Sequence, residues 1–478
     1  MEKPVAPHIL LHFQHEPTQD QMVLITKLAG FIENKSQNKI FLLKGFAGTG
    51  KTSLVSAFVA AVMETGLKTV LLAPTGRAAK VLSSYCGQSA QTIHKKIYFP
   101  NLTPEGHLKL TIKENKHSNT LFIVDEASMI PDSEKGNRFG NYTGRDLLSD
   151  LISFVYNKKN CFMILVGDTA QLPPIGLEIS PALDQKNTYH FSHLSLDTCE
   201  LTQVVRQTED SRILRNATRI RQHIQSENFF PPFLYPDTSF DFKYIDAKEM
   251  EDALNTAYST YGNEEVIVIC RSNRRANLFN HHIRASAYGY ESQITAGDQI
   301  MIVKNNYFWL SESSETDFIA NGEIAEIKRI KRFEHQYGFH FADASIRLID
   351  YPEMEALDVK LLLDTLESES PNLPWEQYRT LYNALDEDLS HAGTISRRNR
   401  MDLIRKNPYF NALQVKFSYA LTCHKTQGGQ WKCVFVEQGW LAQEHINKEF
   451  LRWIYTAVTR ATEQLYLVNF SDYLIDKQ

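Results

Sequence analysis

The chain has 478 residues, a net charge of −5, and 43% hydrophobic against 22% charged residues, the balance of a globular protein with roughly two to four domains. An acidic total excludes a histone-like binder, so any nucleic-acid surface must be local. Cys86, Cys161, Cys199, Cys270, Cys423 and Cys433 form no C-x-x-C pair and no zinc spacing, and neither a basic-then-apolar leader nor a long apolar run occurs. The expectation is a reduced, cytoplasmic protein with no membrane segment.

In chain order, Leu11 to Phe31 has helical periodicity, with Thr18 as N-cap and Gln21 three residues on. Two readings of Gln21 stand side by side: capping-box partner, or an amide that reads the adenine edge of ATP. Ile40 to Leu43 is a buried strand and Ser53 to Met63 a helix; between them lies Gly45-x-x-x-x-Gly50-Lys51-Thr52. The glycines let backbone N–H groups turn toward phosphate oxygens, and the helix start adds the positive end of its dipole. Gly45, Ala47, Gly48, Thr49, Gly50, Lys51, Thr52 and Ser53 are the expected cradle, with Lys51 on the β- and γ-phosphates and the Thr52 hydroxyl on Mg²⁺. The chain is expected to bind ATP.

Thr69 to Pro74 is a second buried strand, and Thr75-Gly76-Arg77 at its end suits a ligand contact. Thr92-Ile-His94-Lys95-Lys96 is basic, and Ile97 to Ile112 alternates around a Pro/Gly turn as a hairpin does. Tyr98 and Phe99 beside Lys95 and Lys96 are either a base-stacking surface or the hairpin's own packing. Leu121 to Val124 ends in Asp125-Glu126, costly at a strand tip unless they meet a cation or a reacting water, so Asp125 is assigned to Mg²⁺ and Glu126 to polarising water. Cys161 to Val166 ends in Gly167-Asp168-Thr-Ala-Gln171, with Gln171 placed to sense the γ-phosphate. Arg206, in Leu201-Thr-Gln-Val-Val-Arg206, is a candidate arginine finger.

A second α/β pattern starts at Val266 to Cys270 with a helix over Ala276 to Tyr288, and breaks near Gly297. Period-two segments at Asp298 to Phe308 (which includes Lys304), Asn321 to Ile330 and Phe339 to Ile349 suggest an inserted β-barrel. Glu353 to Lys406 turns helical and charge-rich, and Arg397, Arg398, Arg400, Arg405 and Lys406 read as a solvated face. The α/β pattern resumes at Leu413, leading through Thr422-Cys-His424-Lys425-Thr-Gln-Gly428 to Thr459-Arg460 and a closing strand at Leu465 to Val468.

Taken together, Gln21, Gly45 to Thr52, Ala73 to Lys80, Asp125-Glu126, Gly167 to Gln171, Arg206, Tyr419 to Gly428 and Thr456 to Arg460 resemble the motif series of superfamily 1 helicases, closest to the RecD-like and Dda-like branch. The resemblance covers nearly the whole chain. It implies an α/β fold of two RecA-like parallel-sheet lobes with ATP between them, a β-hairpin insertion in the first lobe, and an SH3-like barrel with a helical extension in the second. The expected domains are 1–205 (hairpin about 97–118), 206–296 with 411–478, and the insertion 297–410. It further implies catalytic roles for Lys51, Glu126, Gln171, Arg206 and Arg460, adenine contact by Gln21, and nucleotide contact by Gly428. It implies that Tyr98 to Ile112 is the separating pin, that the Asp298 to Ile349 barrel holds the strand against it, and that Thr75, Arg77, Thr92, His94, Lys95, Thr422, His424 and Lys425 line the single-strand track, with Tyr98, Phe99 and Lys304 as further nucleic-acid contacts. The expected activity is ATP-dependent unwinding of tailed DNA duplexes by a monomer moving 5′ to 3′ on single-stranded DNA. A phosphate loop beginning by residue 45 implies a minimal motor, and no carboxylate-rich nuclease signature is visible. The rivals are a translocase that does not unwind and, more distantly, a nucleotide switch without nucleic acid. DNA or RNA preference stays open, since nothing in the sequence reads a 2′-OH.

Overall fold

The apolar runs of the first two hundred residues come together as one parallel sheet. In the computed structural model, Lys39–Gly45 (β1), Lys68–Ala73 (β2), Ala90–Thr92 (β3), Thr120–Val124 (β6), Cys161–Gly167 (β7) and Ser195–Leu201 (β8) are ordered β3-β2-β6-β7-β1-β8. The structure describes residues 4–34, 36, 38–102, 108–132, 146–205, 211–236, 241–310, 318–351, 353–391 and 396–476. A parallel sheet is covered on both faces, which is why its strands read as unbroken apolar runs. Alternation then sorts the side chains. Phe41, Leu43, Leu121, Ile123, Ile164 and Val166 share a core with helices Gln19–Glu33 and Lys51–Glu64. Their neighbours Ile40, Leu42, Phe122, Val124, Met163 and Leu165 face the helix Leu147–Tyr156 instead. The carboxyl ends of β1, β2, β6 and β7 therefore open on one edge, where Gly45 ends β1 and Thr75, Asp125 and Asp168 follow the others.

Tyr98–Leu102 (β4) and Leu108–Ile112 (β5) form the antiparallel hairpin expected in this lobe, with Tyr98 opposite Ile112. The amino-terminal helix differs from expectation. Thr18 does cap a helix, with a full capping box, but that helix begins at Gln19, and a separate helix Val5–His12 precedes it. Thr18 is extended rather than helical, and a proline just before it favours a boundary.

The second lobe repeats the plan: Phe242–Ile245 (β9), Val266–Cys270 (β10), Ala420–Thr422 (β16), Trp431–Glu437 (β17) and Ala461–Val468 (β18) lie parallel in the order β16-β10-β17-β18-β9. Between β10 and β16 the chain closes a barrel from Gln299–Ile302 (β11), Ile324–Gln336 (β12), Phe339–Leu348 (β13), Leu357–Leu362 (β14) and Leu413–Phe417 (β15). Tyr337 and Gly338 turn β12 into β13 with φ of 56° and 79°, the paired positive values a tight hairpin needs. Two corrections follow. Leu357–Leu362, expected to be helical, is a strand buried between β13 and β15. Leu413–Phe417, assigned by sequence to the resumed lobe, pairs with β11 and β14, so the barrel runs past the boundary set at 411. The helices Trp375–His391 and Arg397–Arg405 are not simply a solvated face. Leu381, Leu385 and Ile404 share a core with Phe339, Phe341 and Leu362 of the barrel.

The barrel is tied to its lobe by charge. Arg284, on the helix Asn273–Ser286, forks onto both oxygens of Asp298 at 2.8 Å, and Tyr419 donates to the same carboxylate at 3.0 Å. Both ion-pair partners are buried. Among the described residues no helix is long and apolar enough to cross a membrane.

Candidate functional site

The phosphate loop has the shape its glycines predict. Gly48 and Gly50 take φ of 75° and 78°, and Gly50 is the N-cap of Lys51–Glu64. A Cβ on Gly45 would stand 2.9 Å from the Lys51 stem, and one on Gly50 2.6 Å from Gln21 Nε2. Lys51 Nζ donates to the Phe46 carbonyl at 2.8 Å, across the loop. Thr49 is buried and bonds the same carbonyl through its hydroxyl, while Ser53 is exposed on the first helical turn. Gln21 occupies the loop's back: its Oε1 accepts from Thr18 N–H at 2.9 Å and its Nε2 donates to the Thr49 carbonyl at 3.0 Å. The capping-box reading is thus realised, and the same amide braces the loop.

Beyond β6, Asp125 Oδ1 accepts the Glu126 N–H at 2.8 Å. Glu126 stands at φ 50°, a left-handed conformation that costs a non-glycine residue energy and is typical of functional turns. Burial raises the pKa of both acids, that of Glu126 to about 7, while the charges of Lys51 and, for Glu126, Arg460 oppose the rise. Two carboxyls whose charged form burial disfavours, together with the Thr52 hydroxyl on the first turn of the helix after the phosphate loop, offer a hard oxygen donor set suited to Mg²⁺. Among the described residues no three His, Cys, Asp or Glu gather to hold a metal alone, so a cation there would draw its other oxygens from phosphate and water. Gln171 is buried, and its Oε1 has no hydrogen-bond partner among the described residues.

From the second lobe, Arg460 is buried and held by the carbonyls of Thr456 at 3.0 Å and Gly429 at 3.2 Å. Gln427 Nε2 reaches across to the Leu172 carbonyl at 2.8 Å, and Thr456 Oγ1 accepts the Leu172 N–H at 2.9 Å. Tyr455, not singled out from the sequence, accepts the Ala47 N–H at 2.9 Å. Arg206 lies outside the described residues.

The expected track residues divide. Thr75 and Thr92 each cap a helix, accepting from Ala78 N–H and Lys95 N–H, and Thr422 precedes the short helix Cys423–Thr426. Burial lowers the pKa of His94 to about 4, and its ring lies 5.5 Å from that of Tyr98. Burial also lowers the pKa of His424, and that of Lys425 to about 7, with Lys416 adding to the second. Phe99 is 57% exposed, whereas Tyr98 is 4% exposed with its hydroxyl on Asp150 at 2.7 Å, so Tyr98 is core rather than a stacking surface. Three others make contacts within the protein. Arg77 stacks on Trp431 at 3.9 Å and donates to the Gln430 carbonyl, joining the lobes. Lys304 lies 4.1 Å over the Tyr378 ring, and burial lowers its pKa to about 8. A Cβ on Gly428 would meet Ala78 at 2.7 Å and Thr75 at 3.2 Å, so this glycine packs at the seam between the lobes. Between the first lobe and the barrel, Gln91, Thr92, Lys95, Phe318, Glu323 and Tyr351 line a cavity of about 350 Å³. Burial pushes the carboxyl of Glu323 up to about 8. No local motif marked Glu323; the Asn321-Gly322 turn beside it was the only signal.

Two parallel-sheet lobes with a phosphate loop on one and a buried arginine from the other near its acids define a two-lobed phosphate-loop nucleoside triphosphatase. The AAA domain family matches residues 19–229, and the UvrD-like helicase C-terminal domain family matches 417–468. The ATP-dependent RecD2 DNA helicase of Deinococcus radiodurans is 31% identical over 203 residues, 42% of this chain and 23% of that protein. The ATP-dependent DNA helicase dda of Enterobacteria phage T4 is 31% identical over 186 residues, 37% of each chain. The alignments thus span less than half of either helicase. The Bacteroides Pif1 helicase, solved with ADP-AlF3 and single-stranded DNA, shares the fold at a TM-score of 0.50 and 16% identity, over 97% of this chain and 95% of that one. In these matched regions the chain resembles the RecD-like and Dda-like superfamily 1 helicases.

Proposed function

We propose that the chain is an ATP-dependent DNA helicase that moves 5′ to 3′ on single-stranded DNA and unwinds tailed duplexes as a monomer. The observation that carries this reading is the composite site. Lys51, Asp125 and Glu126 stand on one lobe, the charge of Arg460 reaches Glu126 from the other, and the seam between the lobes continues through Arg77–Gln430 and Gly428–Thr75 toward Thr92 and Lys95. A bond broken between two bodies that also share a strand-binding seam can move one body along the strand.

In this reading Lys51 and Arg460 neutralise charge on the transferring γ-phosphoryl group from opposite lobes, with Arg206 as a further cation. Glu126 orients and takes a proton from the attacking water, Gln171 reports the γ-phosphate, and Gln21 contacts adenine with the N–H its present partners leave over. Thr52 and Asp125 would hold Mg²⁺, which when bound supplies charge neutralisation between the phosphates. The helix starts after Thr75, Thr92 and Thr422, with Lys95 and Lys425, grip the strand's phosphates; such backbone contact is indifferent to sequence and weakened by salt. Polarity follows the RecD-like and Dda-like kinship.

The test is ATP-dependent strand separation on matched duplexes with a 5′ or a 3′ single-stranded tail. Unwinding of the 5′-tailed duplex alone is expected. Activity on the 3′ tail alone would overturn the polarity. Activity on neither tail, with hydrolysis still stimulated by DNA, would make the chain a translocase.

A further inference from the structure

Tyr455 sits where the lobes meet and belongs to no part of the mechanism above. It lies on the second-lobe helix Lys448–Val458, is 1% exposed, and packs in a core that also takes in Phe46, Ala170 and Leu172 of the first lobe. Its hydroxyl nevertheless points into the first lobe, accepting the Ala47 N–H at 2.9 Å and donating to Asp168 Oδ2 at 2.7 Å. Asp168 Oδ1 accepts the Ala170 N–H at 2.9 Å, which shapes the loop carrying Gln171. The next residue along the helix, Thr456, holds Leu172 on the far side of Gln171. Behind the phosphate loop, Arg221 lies 4.4 Å over the Phe46 ring.

A phenylalanine would pack as well as this tyrosine, and a buried hydroxyl is unfavourable unless both its donor and acceptor roles are filled. Here they are filled by groups on two different loops, one cradling phosphates and one carrying Gln171. One oxygen thus sets the spacing of both loops relative to the second lobe. Hydrogen bonds at these distances weaken steeply with displacement, so a small lobe rotation acts on both loops together.

We propose that Tyr455 is a positioning residue that couples lobe closure to the geometry of the phosphate loop and the Gln171 loop. The inference rests on the helicase reading above. The hydroxyl touches neither substrate nor reacting atoms; it aligns the groups that do.

The test is Tyr455→Phe in the full chain, which deletes one oxygen and keeps the ring. Expected are a fall of roughly tenfold or more in DNA-saturated kcat, a KM for ATP held within about threefold, and unchanged DNA affinity without nucleotide. The factor by which a non-hydrolysable ATP analogue changes DNA affinity should collapse toward one, which a merely structural role would not produce. Wild-type kcat with an intact coupling factor would overturn the proposal, as would parallel loss of nucleotide-free DNA binding. Hydrogen exchange on the unmodified chain gives a second test that needs no variant. Analogue binding should protect 46–50 and 168–172 together, and independent responses would also overturn the link. An unmodified chain without DNA-stimulated hydrolysis would sink the helicase reading and leave the exchange result to decide this one; a stimulated chain matched by Tyr455→Phe would sink this one alone.

Discussion

Replacing Phe99 by alanine tests whether the hairpin takes part in strand separation. The ring is 57% exposed, so less than half of the roughly 1.5–3 kcal/mol of a fully buried phenylalanine is at stake, and stability should fall by about 1 kcal/mol or less. A ring stacked on a base contributes about 1–3 kcal/mol. At about 1.4 kcal/mol per decade, its loss predicts roughly 5- to 150-fold slower unwinding. Stopped-flow unwinding of a 5′-tailed duplex, run beside ATP turnover on a single-stranded oligonucleotide, separates the two effects, because turnover on a single strand needs no wedge. Tyr98→Phe is the control. That residue is 4% exposed and its hydroxyl bonds Asp150, so its change should cost about 1–2 kcal/mol of stability and leave the ratio of unwinding to turnover alone. Proportional loss of both activities in Phe99→Ala, or a selective unwinding defect in Tyr98→Phe, would refute the reasoning.

Lys51→Ala should reduce ATP turnover by about a hundredfold or more while DNA affinity by anisotropy stays within about threefold; near-normal phosphate release would remove the role of Lys51. Asp298→Ala strands Arg284 as an uncompensated buried cation and removes the partner of Tyr419, so denaturant unfolding should show a loss of about 3–5 kcal/mol, and a loss below about 1 kcal/mol would contradict the buried-pair account. Burial lowers the pKa of the Lys425 ammonium to about 7, so above that pH the free protein has shed a proton that an approaching phosphate must restore. DNA affinity at constant salt should therefore decline as pH rises from about 7, by at most tenfold per pH unit, with proton uptake seen by calorimetry in buffers of different ionisation enthalpy. Lys425→Arg, always charged, should flatten the profile, and a flat profile in the unmodified chain would exclude the linkage.

The sequence by itself determined the nucleotide chemistry and the two-lobed plan, because both are written locally. Gly45 to Thr52 and Asp125-Glu126 sit at the ends of apolar runs whose length and alternation say where a parallel strand stops, and the ligand edge of such a sheet is where its strands stop. Alternation also put Tyr98 and Phe99 on opposite sides of a strand, but only packing against the helix Leu147–Tyr156 decided which side was core. The barrel was legible in its antiparallel hairpin and hidden where it closes. Leu357–Leu362 and Leu413–Phe417 are buried by each other's pairing, and their separate patterns do not announce it. The same holds for the seam. Tyr455 meets Ala47 across 408 residues and Arg77 meets Gln430 across 353, and an aromatic on an amphipathic helix reads as core until its hydroxyl is seen to leave it. Local spacing encodes what one segment can bind; which lobe supplies the second half of a contact is a property of the closed chain, and tertiary structure alone decided it.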